Sequence, residues 1–348
     1  MPMIDDICWY PDVVKAWNGI VADIAAMHHT DLDVADLPNT RAARVVVARE
    51  HEQYTGSVRA RGALWYLRTR RKFGELPREG IALAPASESD AAAWAWAAKT
   101  THTPAMLVMP PSDEALLAML RGDGVTVQVT PGREVCACRD AYARAVRALV
   151  PDPADSMFAA GVGTWVRCIN QLLWNVDTVI IPGGVDGLLL GTLTAAHKYG
   201  IKTVLATPEG TAIPPAALQI LTDGTDGTTF PGMKPDGRRV RLDSVTVSAS
   251  DIQDAGAILR HHGLQVTQEA ALALAALTSR HDSPGHCYRA EPKEIVAALM
   301  AGPPTGSSAP HPETAAREAN SRNTTSEAVT ISEQLRNERD TAIWRVDM

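Results

Sequence analysis

Lysine is scarce in this 348-residue chain. Seven of its 33 basic residues are lysines, and all the others are arginines. An arginine side chain stays protonated and does not form an imine with a carbonyl compound, so chemistry that needs a free amine has few candidate residues. The lysines are Lys15, Lys72, Lys99, Lys198, Lys202, Lys234 and Lys293.

The sequence also lacks any basic run interleaved with aromatic residues, and its formal net charge is −7. Nucleic-acid-binding grooves need clustered positive charge, so this class is disfavoured. No apolar stretch reaches the roughly 20 residues that cross a bilayer, and residues 1–11 carry acids where a signal peptide needs bases. We expect a cytoplasmic protein that binds neither membrane nor nucleic acid and whose partner is a small molecule or another protein.

Cysteine occurs five times, an odd number scattered along the chain. This usage is typical of reduced thiols rather than of a disulfide framework. Cys136 and Cys138 are one residue apart, which does not suit a tetrahedral zinc ion, and no second Cys/His pair stands at zinc-finger spacing. We therefore expect no metal site.

The middle of the sequence alternates short β-branched runs with longer segments rich in Ala and Leu. Several runs are apolar on consecutive residues, as strands buried on both faces of a parallel sheet are. With helices between the strands, this alternation predicts a doubly wound α/β fold with mostly parallel sheets. The predicted strands are 45–50, 81–85, 104–110, 125–129, 177–182, 202–206 and 243–248, and the predicted helices are 90–100, 112–121, 137–149, 165–174, 188–199 and 251–261.

The composition changes after residue 301, where Pro, Ser and Thr become frequent. Such a segment buries too little apolar surface to offset its ordering entropy. We expect residues 302–348 to be a linker or disordered tail, ending either in a short amphipathic helix or in a frayed terminus. Residues 1–301 are expected to fold, with a smaller subdomain at about 55–150 and a larger one from the remaining N-terminal segment and 151–301.

Three segments place the start of a helix after the carboxyl end of a predicted strand. They are residues 47–67 (VAREHEQYTGSVRARGALWYL), 85–91 (PASESDA) and 181–188 (IPGGVDGL). Ligands of open α/β sheets bind at such positions, because strand ends and helix N-termini meet there. We expect these three segments to line a ligand cleft.

These segments resemble the fold type II pyridoxal-phosphate enzymes, a tryptophan synthase β-like family, and within it the serine/threonine ammonia-lyases (threonine dehydratases). The family's first motif reads roughly Leu-Lys-Arg-Glu-Asp-x-Gln-Pro-Thr-Gly-Ser-Phe-Lys-x-Arg-Gly-Ala. Weaker similarities lie at 97–110, 161–164, 208–210 and 263–277, so the resemblance covers nearly all of the expected folded region and implies its fold. The residues that match the first motif are Arg49, Glu50, Gln53, Thr55, Gly56, Ser57, Arg61, Gly62 and Ala63.

The resemblance also implies which positions hold the cofactor, and the sequence departs from the family there. The lysine that forms the Schiff base in the family aligns with Arg59, which cannot replace it chemically. The family's Ser-x-Gly-Asn-His motif aligns with residues 86–90, where Ser89 stands at the Asn position. A shift of one residue would instead place Asp90 there.

The third motif of the family is a run of glycines that cradles the phosphate, and here it reads Gly184, Val185, Asp186, Gly187. Val185 and Asp186 add side chains where the backbone must approach the phosphate, and Asp186 adds a negative charge. Two like charges about 4 Å apart repel by about 4 kcal/mol at an effective dielectric constant of 20. Because all three motifs change together, we expect no cofactor and no pyridoxal-phosphate-dependent catalysis.

The altered cleft still suggests a ligand. Asp186 is expected to cap the helix at 188–199, and Arg59 either pairs with Asp186 in the vacated cofactor site or points to solvent. Capping and turn formation are the alternative roles of the polar residues in these segments. The candidate catalytic acids and bases are Glu88, Asp90 and Asp186, and the candidate ligand contacts are Ser57, Arg59, Ser87 and Ser89.

The function expected from these observations is that of a divergent threonine dehydratase-like protein that forms a homodimer or a hetero-oligomer with a related subunit. Its cleft would serve a cofactor-independent reaction or bind a small, amino-acid-like ligand. Two alternatives stay open. One is a non-catalytic partner subunit of an active paralogue, and the other is a pyridoxal-phosphate-dependent amino-acid lyase that uses another lysine, such as Lys234.

Overall fold

The computed structural model describes residues 10–152, 154–183, 186–212, 241–264, 266–279 and 287–300, without the side chains of residues 10, 11, 186 and 269. The chain separates into one unit of residues 1–309 and a second of residues 310–348. The expected tail at 302–348 lies outside the described residues. The division of residues 1–301 into two subdomains stays a prediction.

Strands in the described part of the chain form two sheets. The larger sheet has the order β1-β2-β9-β6-β7-β8, and the smaller has the order β3-β4-β5. Among the strands of the described residues, only β1 is antiparallel to its neighbour, and the other pairs are parallel. The strands are β1 (His29–Leu32), β2 (Arg44–Ala48), β3 (Ile81–Leu83), β4 (Ala105–Met109), β5 (Thr126–Val129), β6 (Thr178–Pro182), β7 (Lys202–Pro208), β8 (Leu242–Val247) and β9 (Ile295–Leu299).

Most helices in the described residues begin at a side chain that caps the first turn. Ser87, Asp113, Asp155, Ser248 and Thr267 each accept a hydrogen bond from a backbone N–H two or three residues later. The helices are α1 (Tyr10–Ile20), α2 (Arg59–Lys72), α3 (Glu88–Thr100), α4 (Glu114–Gly122), α5 (Val135–Val146), α6 (Ser156–Leu173), α7 (Asp186–Tyr199), α8 (Ala249–His261) and α9 (Gln268–Thr278).

The larger sheet is buried on both faces. In β2, Val46 packs into the cluster with α1, α2, α6 and α7, whereas Val45 and Val47 pack into the cluster with α8 and α9. The same alternation continues in β6, where Ile181 and Ile180 face opposite sides. The expected doubly wound α/β fold with mostly parallel sheets is confirmed.

The helices α1 and α9 were not predicted from the sequence, and α6 begins at Ser156 rather than near residue 165. Two buried glycines in its first half let neighbouring helices approach closely. A Cβ at Gly161 would lie 2.5 Å from the Arg61 carbonyl oxygen in α2, and one at Gly163 would lie 2.5 Å from the Gly191 carbonyl oxygen in α7. Glycine weakens an isolated helix by about 1 kcal/mol, and the packing against α2 and α7 offsets that cost.

The topology places several helix starts at one edge of the larger sheet. Strands β2, β6, β7, β8 and β9 are parallel, so their carboxyl ends share this edge. Helices α2, α7 and α8 follow β2, β6 and β8 in the chain and begin there. None of the described helices is both long and apolar enough to span a bilayer.

Candidate functional site

The first motif forms the connection from β2 to α2 and the start of α2. The carboxylate of Glu50 accepts hydrogen bonds from Arg61 Nε at 2.8 Å and from Arg61 Nη2 at 2.7 Å, and both side chains are 0% exposed. Gln53 Nε2 donates to the Ala25 carbonyl oxygen at 3.1 Å, and Arg61 Nη1 lies 3.5 Å from Thr164 Oγ1 in α6. These matched residues hold the connection against α6 and against the segment that follows α1.

Arg59 is the first residue of α2 and is 8% exposed. Its Nη1 donates a hydrogen bond to Ser87 Oγ at 2.8 Å, and its backbone N–H donates to Ser57 Oγ at 3.2 Å. Ser87 is the N-cap of α3, so the guanidinium joins the starts of two helices. The alternative in which Arg59 points to solvent is therefore wrong. Its expected pairing with Asp186 involves a side chain outside the described residues.

The second motif forms the turn between β3 and α3. Ser87 Oγ and Ser89 Oγ lie 3.1 Å apart, and the backbone N–H of Asp90 donates to Ser87 Oγ at 3.2 Å. The side chain of Asp90 accepts from the Ala86 N–H at 3.0 Å, so it closes the turn. Glu88 is exposed.

The predicted ligand contacts Ser57, Arg59, Ser87 and Ser89 are thus brought together, and all except Ser87 are nearly buried. The predicted catalytic carboxylates are not brought together in the described structure. Asp90 supports the turn and Glu88 faces solvent, while Asp186 begins α7 with its side chain outside the described residues. The catalytic role of each of these three carboxylates stays a prediction.

His51 is a buried residue that was not predicted from the sequence to belong to the site. It is 5% exposed, and its Nδ1 has no hydrogen-bond partner among the described residues. Burial lowers the pKa of His51 from 6.5 to about 4, so the imidazole is neutral at physiological pH. His51 stands where the family motif has Asp, and this difference from the motif is the signal in the sequence that could have identified it.

The described side chains at this edge fit an anionic group. A guanidinium and nearby hydroxyl groups are suitable donors for a carboxylate or phosphate, and the starts of α2 and α3 add partial positive charge. No group of three or more His, Cys, Asp or Glu side chains within the described ranges is placed to hold a metal ion.

A covalent bond to the aldehyde of pyridoxal phosphate needs a primary amine, and none of the described lysines lies at this edge. The last turns of α2, α3 and α7 carry Lys72, Lys99 and Lys198, at the opposite ends of these helices from the site. The start of β7 carries Lys202, and Lys293 precedes β9, so both lie at the opposite ends of strands. The exposed residue Lys15 of α1 pairs with Asp12. Lys234 lies outside the described residues.

Two curated relatives are ammonia-lyases or dehydratases by name. L-threo-3-hydroxyaspartate ammonia-lyase from Saccharomyces cerevisiae is 29% identical over 208 residues, which cover 58% of this chain and 62% of that protein. L-threonine dehydratase catabolic TdcB from Staphylococcus aureus is 31% identical over 160 residues, which cover 44% of this chain and 45% of that protein. The chain thus spans less than two thirds of the length of these relatives.

Solved structures of similar fold cover more of the chain. A pyridoxal 5′-phosphate-dependent aspartate racemase has a TM-score of 0.69 at 18% identity, over 85% of this chain and 95% of its own. Serine racemase from Dictyostelium discoideum has a TM-score of 0.67 at 20% identity, over 85% of this chain and 98% of its own. The processed form of threonine deaminase isoform 2 from Solanum lycopersicum has a TM-score of 0.65 at 18% identity, over 86% of this chain and 87% of its own. The fold implied by the resemblance is therefore confirmed.

The expectation that no cofactor is used is wrong. The family whose model matches residues 29–298 is described as pyridoxal-phosphate dependent enzyme. The changes at Arg59 and in the glycine motif therefore do not outweigh the family relationship, which favours pyridoxal phosphate as the cofactor. By the match over most of its length, this chain belongs to the PALP family of pyridoxal-phosphate dependent enzymes.

Proposed function

We propose that this chain is a pyridoxal-phosphate-dependent enzyme that acts on an amino acid, as a lyase or racemase, and that its covalent bond to the cofactor is not made at residue 59. The observation that carries the proposal is the family match over residues 29–298. Relatives and structural neighbours named as ammonia-lyases, dehydratases and racemases support the choice of substrate class.

Arg59 is proposed to bind the negatively charged group of the ligand. Its guanidinium is fixed by Ser87 at 2.8 Å and sits in a nearly buried position, where an ionic hydrogen bond is stronger than in water. A guanidinium presents a planar pair of N–H donors that matches a carboxylate or phosphate. Bound pyridoxal phosphate supplies the electron-withdrawing ring, and Arg59 and Ser87 orient the ligand relative to it.

The amine that bonds to the cofactor is proposed to be Lys234. Six of the seven lysines belong to the described residues, and those six lie away from the candidate site. Lys234 lies in the segment between β7 and β8, which leaves the sheet at the carboxyl end of β7. That strand end is at the same edge of the larger sheet as the starts of α2 and α7, three strands along from β2.

The test combines cofactor titration with reductive trapping. The purified chain is titrated with pyridoxal phosphate, its visible absorption is recorded, borohydride is added, and labelled peptides are mapped by mass spectrometry. We expect one labelled lysine, Lys234, and no label in Lys234→Ala. Lys293→Ala is the matched control and should keep the label. A label on a described lysine would refute the assignment to Lys234, and the absence of cofactor binding would refute the proposed function.

The substrate class is tested with the cofactor-loaded protein. L-Threonine, L-serine, L-aspartate and 3-hydroxyaspartate are offered separately, the released 2-oxo acid and ammonia are measured, and the amino acid that remains is analysed by chiral chromatography. Release of ammonia indicates a lyase, and inversion without release indicates a racemase. If neither occurs and a related subunit co-purifies, the partner-subunit alternative replaces this proposal.

A further inference from the structure

A cavity of about 330 Å³ lies at the C-terminal ends of α2 and α3, away from the candidate site. It is lined by Arg68, Arg71, Lys72, Thr100, Thr101 and His102. Three of these side chains carry a fixed positive charge and none is acidic, although the formal net charge of the whole chain is −7. The cavity is therefore a local positive region in an acidic protein.

Helices α2 and α3 run side by side in the same direction. At their starts Arg59 donates to Ser87 at 2.8 Å. At their ends Arg71 donates to the carbonyl oxygens of Thr101 and His102 and, at 3.0 Å, to Thr103 Oγ1. The 13 residues from Arg59 to Arg71 place the cavity about 18 Å from the candidate site, at 1.5 Å per residue.

Carbonyl groups at helix ends normally repel an anion, but here they are engaged. The guanidinium of Arg71 covers the carbonyl groups that follow α3. Three of the four carbonyl groups in the last turn of α2, those of residues 69–71, accept from the backbone N–H groups of Phe73, Gly74 and Glu75. The partial negative charge of both helix ends is therefore largely neutralised before any ligand arrives.

Positive charge remains available in the cavity. Arg68 is balanced by Asp23 at 2.8 Å. Within the described residues, the Lys72 ammonium has no hydrogen-bond or ion-pair partner, and the His102 side chain has none either. A volume of about 330 Å³ is at the small end of ligand pockets, so it admits a compact molecule.

We propose that this cavity binds a small phosphate-bearing anion with at least two negative charges, held by Lys72, Arg71 and His102. Lys72 supplies the mobile donor, and Arg71 supplies a fixed charge that faces the cavity from between the two helix ends. A ligand here ties together the ends of the two helices whose starts are joined by Arg59 and Ser87. The proposal does not depend on the chemistry assigned to the candidate site.

Inorganic pyrophosphate is the probe, and its binding to the full-length chain is measured by calorimetry at low ionic strength. We expect Lys72→Ala to weaken binding and Lys72→Glu to weaken it by at least about 10-fold, which corresponds to about 1.4 kcal/mol. Lys15→Glu makes the same charge change on α1 at a residue that does not line the cavity, so its effect on the dissociation constant should be smaller than that of Lys72→Glu and should vanish as salt is added. Circular dichroism confirms that each variant is folded.

The salt dependence provides a second measurement. We expect the affinity for pyrophosphate to fall as the sodium chloride concentration rises, as it does for a ligand held by exposed cations. The proposal is overturned if the unmodified chain does not bind pyrophosphate, or if Lys72→Glu binds it as well as Lys15→Glu does.

Discussion

Arg61 and Glu50 form a two-bond ion pair in which both side chains are fully buried, with distances of 2.8 and 2.7 Å. The pair connects the segment after β2 to the third residue of α2, close to Arg59. Removing two charges from water costs several kcal/mol per ion, and only good geometry and further hydrogen bonds offset this cost. Gln53 and Thr164 supply such contacts, so the pair fixes the helix start that carries the candidate site.

Breaking this pair should strongly destabilise the protein. We expect Arg61→Met to lower the free energy of unfolding by about 3–5 kcal/mol, because it leaves the Glu50 carboxylate buried without its partner. Urea denaturation measures the change. The comparison is Arg44→Met, which breaks the more exposed pair with Asp31 and should cost at most about 1 kcal/mol. Equal losses in the two variants would contradict the role given to burial.

The close contact between α6 and α7 gives a second prediction. A Cβ at Gly191 would lie 2.1 Å from the Ala159 carbonyl oxygen, so Gly191→Ala must push the helices apart. We expect a loss of about 1–3 kcal/mol, measured by denaturant unfolding. Gly122→Ala at the end of α4, where a new Cβ meets no atom within 4 Å, is the control and should be neutral or slightly stabilising. A neutral Gly191→Ala would refute the packing argument.

Stability should depend on pH through His51. Burial lowers its pKa to about 4 from 6.5, so between these values the unfolded chain binds a proton that the folded chain does not. The free energy of unfolding should therefore be highest above pH 6.5. It should fall progressively as the pH falls towards 4, by about 3 kcal/mol in all. Urea denaturation at several pH values should show a shallower decline for His51→Gln. The comparison variant is His28→Gln, which replaces an exposed histidine, and its stability should decline more steeply than that of His51→Gln.

Much of the sheet could be predicted because its strands are continuous apolar runs. All seven predicted strands are present, but β9 was not predicted although it lies inside the larger sheet, between β2 and β6. Its sequence, IVAAL, is short and contains alanine, so a strand and a buried helix segment cannot be distinguished from the pattern. The edge strand β1 was missed for another reason, since HTDL is too polar to be predicted as a strand.

The candidate site could be predicted less completely than the fold. The motifs correctly identified the helix starts that bring Arg59 and Ser87 together, because strand ends and helix starts are local features of the sequence. The ion pair of Glu50 and Arg61 depends on how a loop folds back against α6, and a motif match does not reveal that contact. Cofactor use could not be predicted from three short motifs, because the family relationship extends over residues 29–298 and favours pyridoxal phosphate despite the changes at individual positions.

Arg59→Lys tests whether residue 59 occupies the position from which a lysine would reach the cofactor. Lysine is shorter and keeps the positive charge, but its amine is nucleophilic once deprotonated and a guanidinium is not. We expect borohydride treatment with pyridoxal phosphate to label residue 59 in Arg59→Lys and not in the unmodified chain. Arg59→Met is the control, because it retains an unbranched side chain without an amine, and it should not be labelled at residue 59. Absence of label at residue 59 in a folded Arg59→Lys variant that binds pyridoxal phosphate would show that the start of α2 does not face the cofactor.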